Sequence, residues 1–139
     1  MNPTIEKFGW PESLVREFEH WVVLVRPAQV TLGSLVLAAK SDATAYGQLP
    51  RAAFAEQADA VAAIERALRA FTACERINYL MLMMVDPNVH FHVIPRYSHA
   101  RNWMGVEFPD AGWPGAPQLG SAVGLSAEQL RAMAAELDV

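Results

Sequence analysis

The sequence contains a single cysteine, Cys74, and no long apolar run. One thiol cannot form an internal disulfide, which favours a protein of the reducing cytosol. Cys74 lies near the end of a helical pattern and is interpreted as a small buried side chain rather than a nucleophile. No apolar stretch reaches the ~18 residues of a membrane-spanning helix, and the N-terminal residues lack the apolar core of a signal peptide. We therefore expect a cytoplasmic protein that does not bind a membrane.

Positive charge is also scarce. The chain has 11 lysines and arginines against 15 aspartates and glutamates, which gives a net charge of −4. No basic patch is visible, and this argues against binding to the phosphates of a nucleic acid polymer. A small nucleotide is compatible with this composition, because its phosphates need only a local site. With 19% charged and 53% hydrophobic residues, the chain is expected to form one folded domain over residues 1–139.

The spacing of apolar residues predicts the order α-β-β-α-β-β-coil-α. Helical patterns cover residues 11–18, 50–72 and 126–137, and strand patterns cover residues 20–27, 34–40, 77–85 and 88–95. Asp86-Pro87 is a turn signal, which predicts a tight hairpin between the last two strands. Residues 98–120 are expected to form an irregular covering segment. This order indicates an α+β fold, with the helices packed on one face of an antiparallel sheet.

The most informative segment is the last predicted strand, because it carries two histidines on one face. Side chains alternate along a strand, so Asn88, His90 and His92 share one face and the apolar residues between them share the other. Three interpretations are open: structural histidines satisfied by the backbone, a metal site, or nucleophilic catalysis by imidazole. A metal site needs a third ligand, for which the candidates are His99, His20 and Asp86.

The same residues resemble the motif of the histidine triad (HIT) family, His-φ-His-φ-His-φ-φ, which is often followed by Pro-Arg. Asn88 takes the first histidine position, His90 the middle one and His92 the third, and residues 93–96 (VIPR) complete the motif. Upstream, residues 25–37 are similar to the strand, loop and second strand of the family. The resemblance implies a HIT-like α+β fold, with an antiparallel sheet of about five strands, one long helix and short flanking helices.

This resemblance also implies a chemical function. In the family, the middle histidine attacks the α-phosphate of a nucleotide, and water then resolves the covalent nucleotidyl-histidine. Carried over, His90 is the nucleophile, and His92 contacts a phosphate oxygen and orients the neighbouring ring. The implied substrate is a dinucleoside polyphosphate or another adenylylated compound, without a metal or other cofactor. The family resemblance further implies a homodimer.

Several positions depart from the family pattern. Asn88 cannot shuttle a proton as a histidine can, and Ser34 stands where the upstream strand usually has a histidine. Arg26 stands near a position that usually holds a ribose-contacting asparagine, and its guanidinium could bind a phosphate bidentately. With Leu24 and Val36, Arg26 and Ser34 are the residues expected at the nucleotide. The departures leave two alternatives open: a nucleotide-binding or regulatory protein with weak catalysis, and a small metalloprotein.

Other polar and aromatic residues surround the motif. The sequence leaves open whether Arg96, Arg101 and His99 enter the site. Trp103 and Trp113 are interpreted as plugs at an edge of the core rather than as stacking partners of a base. Asn78 is not expected to bind phosphate, because the predicted hairpin places it more than ~15 Å along the strand from the nucleophile.

Overall fold

A five-stranded antiparallel sheet lies at the centre of the chain, and the computed structural model describes all residues, 1–139. In chain order the strands are β1 (Leu14–Glu17), β2 (Trp21–Val25), β3 (Ala28–Gln29), β4 (Leu35–Ala39), β5 (Arg76–Leu80), β6 (His90–Arg96), β7 (Arg101–Trp103), β8 (Val106–Phe108) and β9 (Val123–Gly124). The helices are α1 (Pro3–Lys7), α2 (Arg51–Thr72) and α3 (Ala127–Glu136), with a 3-10 helix at Tyr46–Gln48. The central sheet has the order β1-β2-β4-β6-β5. The predicted α+β class and five-stranded sheet are therefore confirmed.

Two of the three inner strands, β2 and β4, are buried along their whole length. On one face of the sheet, Trp21 and Leu37 belong to the main apolar cluster, which α2 and α3 complete with Ile64 and Met133. On the other face, Ile5 of α1 packs in a second cluster, formed with Val22, Leu24, Val36 and Ala38. Helices therefore cover both faces of the sheet, and the expectation that they pack on one face only is wrong. This second cluster supports the strand that carries the histidines.

Two of the predicted helices form close to the expected bounds. α2 begins directly after Pro50 and turns its small and branched apolar residues, Ala60, Ile64 and Leu68 among them, into the core. At the start of α3, the Ser126 hydroxyl accepts a hydrogen bond from the backbone N–H of Gln129, whose side chain accepts one from the backbone N–H of Ser126. This capping box is the one that the sequence predicts. None of the helices is both long and apolar enough to cross a membrane.

The predicted helix at residues 11–18 is wrong, because the strand β1 occupies this segment. Leu14 and Glu17 pair with Leu24 and Val22 at the edge of the sheet, with a register shift inside β1. Pairing with a buried strand thus outweighs a short apolar pattern that fits a helix equally well. The N-terminal helix lies earlier, at α1, where the Asn2 side chain accepts a hydrogen bond from the backbone N–H of Ile5.

The connection between β5 and β6 also differs from the prediction. β5 ends at Leu80 and β6 begins at His90, so residues 81–89 form a long connection instead of a tight hairpin at Asp86-Pro87. Met83 has a φ of 51°, a left-handed conformation that interrupts the expected strand. Farther along, the segment predicted to be irregular contains a hairpin, β7 with β8, which turns at Gly105 with a φ of 76°.

Candidate active site

Strand β6 presents His90 and His92 side by side on the face of the sheet that α1 covers. His90 lies opposite Ala38 and His92 opposite Val36, which fixes both rings over the middle of the sheet. Their ring centroids are 5.1 Å apart, and the Phe8 ring lies 5.5 Å from the first and 5.6 Å from the second. The predicted sharing of one face by the two imidazoles is therefore confirmed.

A cavity of about 400 Å³ lies in front of the two imidazoles. It is lined by four parts of the chain besides the histidine strand: the end of α1, the connection at residues 82–86, Arg26 and Leu119. The lining residues are Lys7, Phe8, Arg26, Leu82, Met83, Met84, Val85, Asp86, His90, His92 and Leu119. This volume falls within the range of small-molecule sites in proteins.

The tautomer of His90 is set by the backbone. Its Nδ1 lies 2.7 Å from the carbonyl oxygen of Asn88. Because a carbonyl only accepts, Nδ1 carries the hydrogen and donates it, and the lone pair of the neutral ring is then on Nε2. His90 is only 2% exposed, and it lines the cavity. The arrangement holds the ring as an oriented nucleophile or base.

His92 is held neutral by its surroundings. Burial lowers its pKa from 6.5 to about 4, and the positive charge of Arg26 and the neighbouring His90 act in the same direction. The Nε of Arg26 donates a long hydrogen bond of 3.4 Å to Nδ1 of His92. Nδ1 is then the acceptor, and Nε2 of the neutral ring carries a hydrogen that it can donate to a ligand. Burial also lowers the pKa of Arg26 from its ordinary value.

Asn88 lies beneath the site rather than in the cavity. Its side-chain oxygen accepts a hydrogen bond of 2.9 Å from the Thr4 hydroxyl, and its side-chain nitrogen donates one of 3.1 Å to the carbonyl oxygen of Asp42. Its backbone N–H donates to the same Thr4 hydroxyl at 3.3 Å. The residue therefore ties α1 to the start of the histidine strand, while its carbonyl orients His90.

The other residues expected at the nucleotide divide into two groups. Arg26 lines the cavity, as expected for a ligand-binding residue. Ser34 lies outside it, because its hydroxyl donates to the carbonyl oxygen of Thr31 at 2.8 Å and accepts from the backbone N–H of Thr31 at 3.1 Å. Leu24 and Val36 are fully buried under α1. The structure thus brings Arg26 together with the two histidines and leaves the other three outside the cavity.

Two walls of the cavity consist of residues that the sequence does not indicate as part of a site. Lys7 and Phe8 come from the end of α1, and residues 82–86 come from the connection that the sequence treats as strand and turn. The Nζ of Lys7 lies 2.7 Å from Oδ1 of Asp86, so these walls meet in an ion pair. Asn2 followed by Pro3 is an N-terminal helix signal that could have revealed α1. No local signal indicates where that helix docks.

The residues left open by the sequence lie away from the cavity. Arg96 forms a buried ion pair with Asp110 and also donates to Asn78, which lies opposite Ile94 in the sheet. Arg101 donates to the carbonyl oxygen of Thr72 at the end of α2. The three others lie in the covering segment at residues 98–120: His99, Trp103 and Trp113. No group of three or more histidine, cysteine, aspartate or glutamate side chains in the chain could hold a metal ion.

Comparisons with known proteins identify the fold. No protein-family model and no curated protein sequence matches the chain. Among solved structures, a histidine triad protein from Bradyrhizobium japonicum has a TM-score of 0.73 at 18% identity, and the match covers 98% of this chain and 92% of that one. A histidine triad (HIT) protein from Sinorhizobium meliloti has a TM-score of 0.74 at 20% identity, with the same coverage.

A third structure, a hypothetical histidine triad nucleotide-binding protein from Sulfolobus tokodaii, has a TM-score of 0.63 at 19% identity. The match covers 89% of this chain and 79% of that one. All three matches cover most of this chain, with TM-scores of 0.63 to 0.74. The chain therefore has the fold of the histidine triad proteins, and the resemblance carried by residues 88–96 is confirmed at the level of the fold.

Proposed function

We propose that this protein is a nucleotide hydrolase or transferase in which His90 attacks the α-phosphate of a dinucleoside polyphosphate or another adenylylated compound. The observation that carries the proposal is the hydrogen bond from Nδ1 of His90 to the Asn88 carbonyl oxygen, which places the ring's lone pair on Nε2 beside a cavity. An oriented imidazole with its lone pair on Nε2 is a competent nucleophile toward phosphorus.

The reaction would run in two steps. The lone pair on Nε2 of His90 forms a bond to the α-phosphorus, and the bond from phosphorus to the leaving group breaks with its electron pair. The leaving group takes a proton from solvent. Water then attacks the same phosphorus, the bond to Nε2 breaks, and nucleoside monophosphate is released with the proton lost from water. Another hydroxyl or amine in place of water would make the reaction a transfer.

Two residues support the charge that develops on phosphorus. The neutral His92 carries a hydrogen on Nε2 and would donate it to a non-bridging phosphate oxygen. Arg26 supplies a positive charge on the cavity wall, and a guanidinium bonds phosphate oxygens strongly. The apolar side chains of Leu82, Met83 and Met84 offer a surface for the base or for an apolar leaving group. The name of the Sulfolobus neighbour as a nucleotide-binding protein agrees with this proposal.

Turnover and a trapped intermediate test the proposal together. The protein is incubated with diadenosine polyphosphate and with an adenosine phosphoramidate, and release of adenosine monophosphate is measured. We expect turnover in the wild type and a loss of roughly a thousandfold or more in His90→Ala. A quench in alkali preserves a phosphorus–nitrogen bond to imidazole, so mass spectrometry would find the adenylylated protein in the wild type only.

A matched variant guards against nonspecific effects. His99 is exposed and lies outside the cavity, so His99→Ala should leave turnover unchanged. If neither substrate is converted, or if His90→Ala retains full activity, the catalytic proposal is refuted.

A nucleotide-binding protein without turnover is the second candidate. The observation in its favour is that the Asn88 amide is hydrogen-bonded to Thr4 and Asp42. The first motif position therefore offers no general acid. Calorimetry with adenosine monophosphate separates the two candidates: binding without turnover of either substrate supports this one, and absence of binding refutes both.

We also propose that two copies of the chain associate through the β5 edge of the sheet. β5 is the last strand in the sheet order, so one of its sides has free backbone groups. Beside it lies an open apolar groove of about 420 Å³, lined by Tyr46, Phe54, Gln57, Ala58, Val61, Tyr79 and Phe91. Light scattering of the wild type should give a dimer, and Val61→Glu should give a monomer; a monomeric wild type would refute this proposal.

A further inference from the structure

The ion pair between Lys7 and Asp86 lies at the wall of the histidine cavity. Lys7 ends α1, and Phe8, the next residue, contacts both imidazole rings, so this lysine is held close to the site. Its Nζ lies 2.7 Å from Oδ1 of Asp86, and both residues line the cavity. The pair therefore places two opposite charges on the wall of the cavity.

The charges of the lining are unevenly distributed. Lys7 and Arg26 are its two cationic residues, and Asp86 is its one carboxylate. The negative charge of Asp86 acts on His92, whose pKa it raises against the larger opposing effects. Asp86 therefore acts electrostatically on the interior of the cavity, and an anionic ligand would meet its repulsion there.

The lysine end of the ion pair is free to move. The Lys7 side chain is 55% exposed, whereas that of Asp86 is 17% exposed. Because the ammonium is in contact with solvent, water can compensate in part when it leaves the carboxylate. Lysine also has a flexible stem and three donors, so its ammonium can move from a carboxylate to a phosphate without a change in the backbone.

We infer that Lys7 is a phosphate-binding residue of this site and that Asp86 occupies it until an anionic substrate displaces the carboxylate. Asp86 thus acts as an internal competitor, which weakens the binding of anions and leaves that of uncharged ligands unaffected. The inference rests on the proposed function for the identity of the ligand, a nucleotide phosphate. It adds a residue from α1 to the site: Lys7 favours charged over neutral ligands, and Asp86 reduces that preference.

A purely structural role of the ion pair is the competing explanation. In that case the ion pair only fastens α1 to residues 82–86, and its loss loosens the cavity wall. The two explanations predict opposite signs for one substitution. If Asp86 competes with the ligand, Asp86→Asn strengthens the binding of adenosine monophosphate. If the ion pair only fastens α1, the same substitution weakens that binding.

Calorimetry of four proteins tests the inference: the wild type, Asp86→Asn, Lys7→Gln and the double variant. The ligands are adenosine monophosphate and, as an uncharged probe, adenosine. We expect the dissociation constant for the monophosphate to fall roughly three- to tenfold in Asp86→Asn and to rise by a similar factor in Lys7→Gln. The effect of Lys7→Gln should be larger in the Asp86→Asn background, where no carboxylate competes. Affinity for adenosine should change by less than about twofold.

A second ion pair provides the control. The Nζ of Lys40 lies 2.6 Å from Oε2 of Glu17, and neither residue lines the cavity. Glu17→Gln and Lys40→Gln change the net charge by the same amounts, so they report any effect of overall charge. They should leave both dissociation constants unchanged.

Each outcome decides the question. Weaker or unchanged binding of the monophosphate in Asp86→Asn, or unchanged binding in Lys7→Gln, overturns the inference while the proposed function stands. Equal changes for adenosine and its monophosphate overturn it as well, because the effect would not depend on the phosphate. A wild type that does not bind adenosine monophosphate overturns the proposed function and the inference together.

Discussion

Replacing Arg96 by methionine should strongly destabilise the fold, because its guanidinium is the centre of a buried polar network. Nε and Nη2 donate to the two carboxylate oxygens of Asp110 at 2.7 and 3.0 Å, in a bidentate arrangement. Nη1 donates to the side-chain oxygen of Asn78 at 2.8 Å, and Nη2 also donates to the carbonyl oxygen of Gly115 at 2.8 Å. The two charged side chains are 4% and 2% exposed.

The magnitude follows from what Arg96→Met leaves behind. Methionine keeps much of the apolar stem but removes all four hydrogen bonds, so the carboxylate of Asp110 stays buried without its counter-ion. Removing one partner of a buried ion pair costs about 3–5 kcal/mol of unfolding free energy. Tyr97 and Gly112 still donate backbone hydrogen bonds of 3.3 Å to the carboxylate, which favours the lower end of this range. Arg96→Lys should lie between, because it retains the charge but not the bidentate geometry.

Urea unfolding at neutral pH, followed by tryptophan fluorescence, measures this effect. The matched control is Arg69→Met, which removes an exposed arginine 3.5 Å from Glu65 on the surface of α2. A surface pair of this kind contributes at most about 0.5 kcal/mol. If Arg96→Met costs no more than the control, Asp110 is solvated or repaired by other groups, and the reasoning from burial is refuted.

Three further predictions concern the site and its support. Because the folded pKa of His92, about 4, is below its ordinary 6.5, its contribution to stability is complete above about pH 6.5 and is lost as the pH falls toward about 4; urea unfolding near pH 7 and near pH 5 should show a smaller loss in His92→Gln than in the wild type, and equal losses would contradict the assignment. Thr4→Val should cost about 1–3 kcal/mol in unfolding free energy, because it leaves the side-chain oxygen and the backbone N–H of buried Asn88 without their partner; a cost near zero would show that these two groups find other partners. Gly33→Ala should lower the melting temperature through a loss of about 1–2 kcal/mol, because Gly33 has a φ of 88° and a Cβ there would lie 3.1 Å from Leu68 and Thr72; an unchanged melting temperature would contradict this.

The histidine strand could be predicted because its pattern is enforced locally. Val89 and Val93 are fully buried in the main cluster, so the alternation of a strand leaves His90 and His92 no choice of face. The long helix α2 could be predicted for a similar reason, since its apolar stripe persists over many turns. In both cases the residues that give the signal also make the contacts.

The walls of the cavity could not be predicted, because they depend on residues far apart in the sequence. Thr4 bonds to Asn88, and Lys7 to Asp86, and neither pair has a local pattern that indicates the other partner. Residues 81–85 mislead for a physical reason. Their apolar character predicts a buried strand, but Met84 is 87% exposed because the chain leaves the sheet at Leu80. An apolar segment beside a site can serve a ligand instead of the core.

The departure at Asn88 acquires a definite meaning in this structure. Two separate groups of this residue act on the site: the backbone carbonyl, which fixes the tautomer of His90, and the side chain, which anchors α1 through Thr4. Any amino acid supplies the first, so the absence of a histidine at this position leaves the orientation of His90 unchanged. The amide supplies the second by accepting and donating at once, which keeps α1, with Lys7 and Phe8, on the cavity wall. The substitution therefore exchanges a titratable group for a support of the wall that carries a cation. The cavity has positive charge without a histidine at this position, because Lys7 and Arg26 line it.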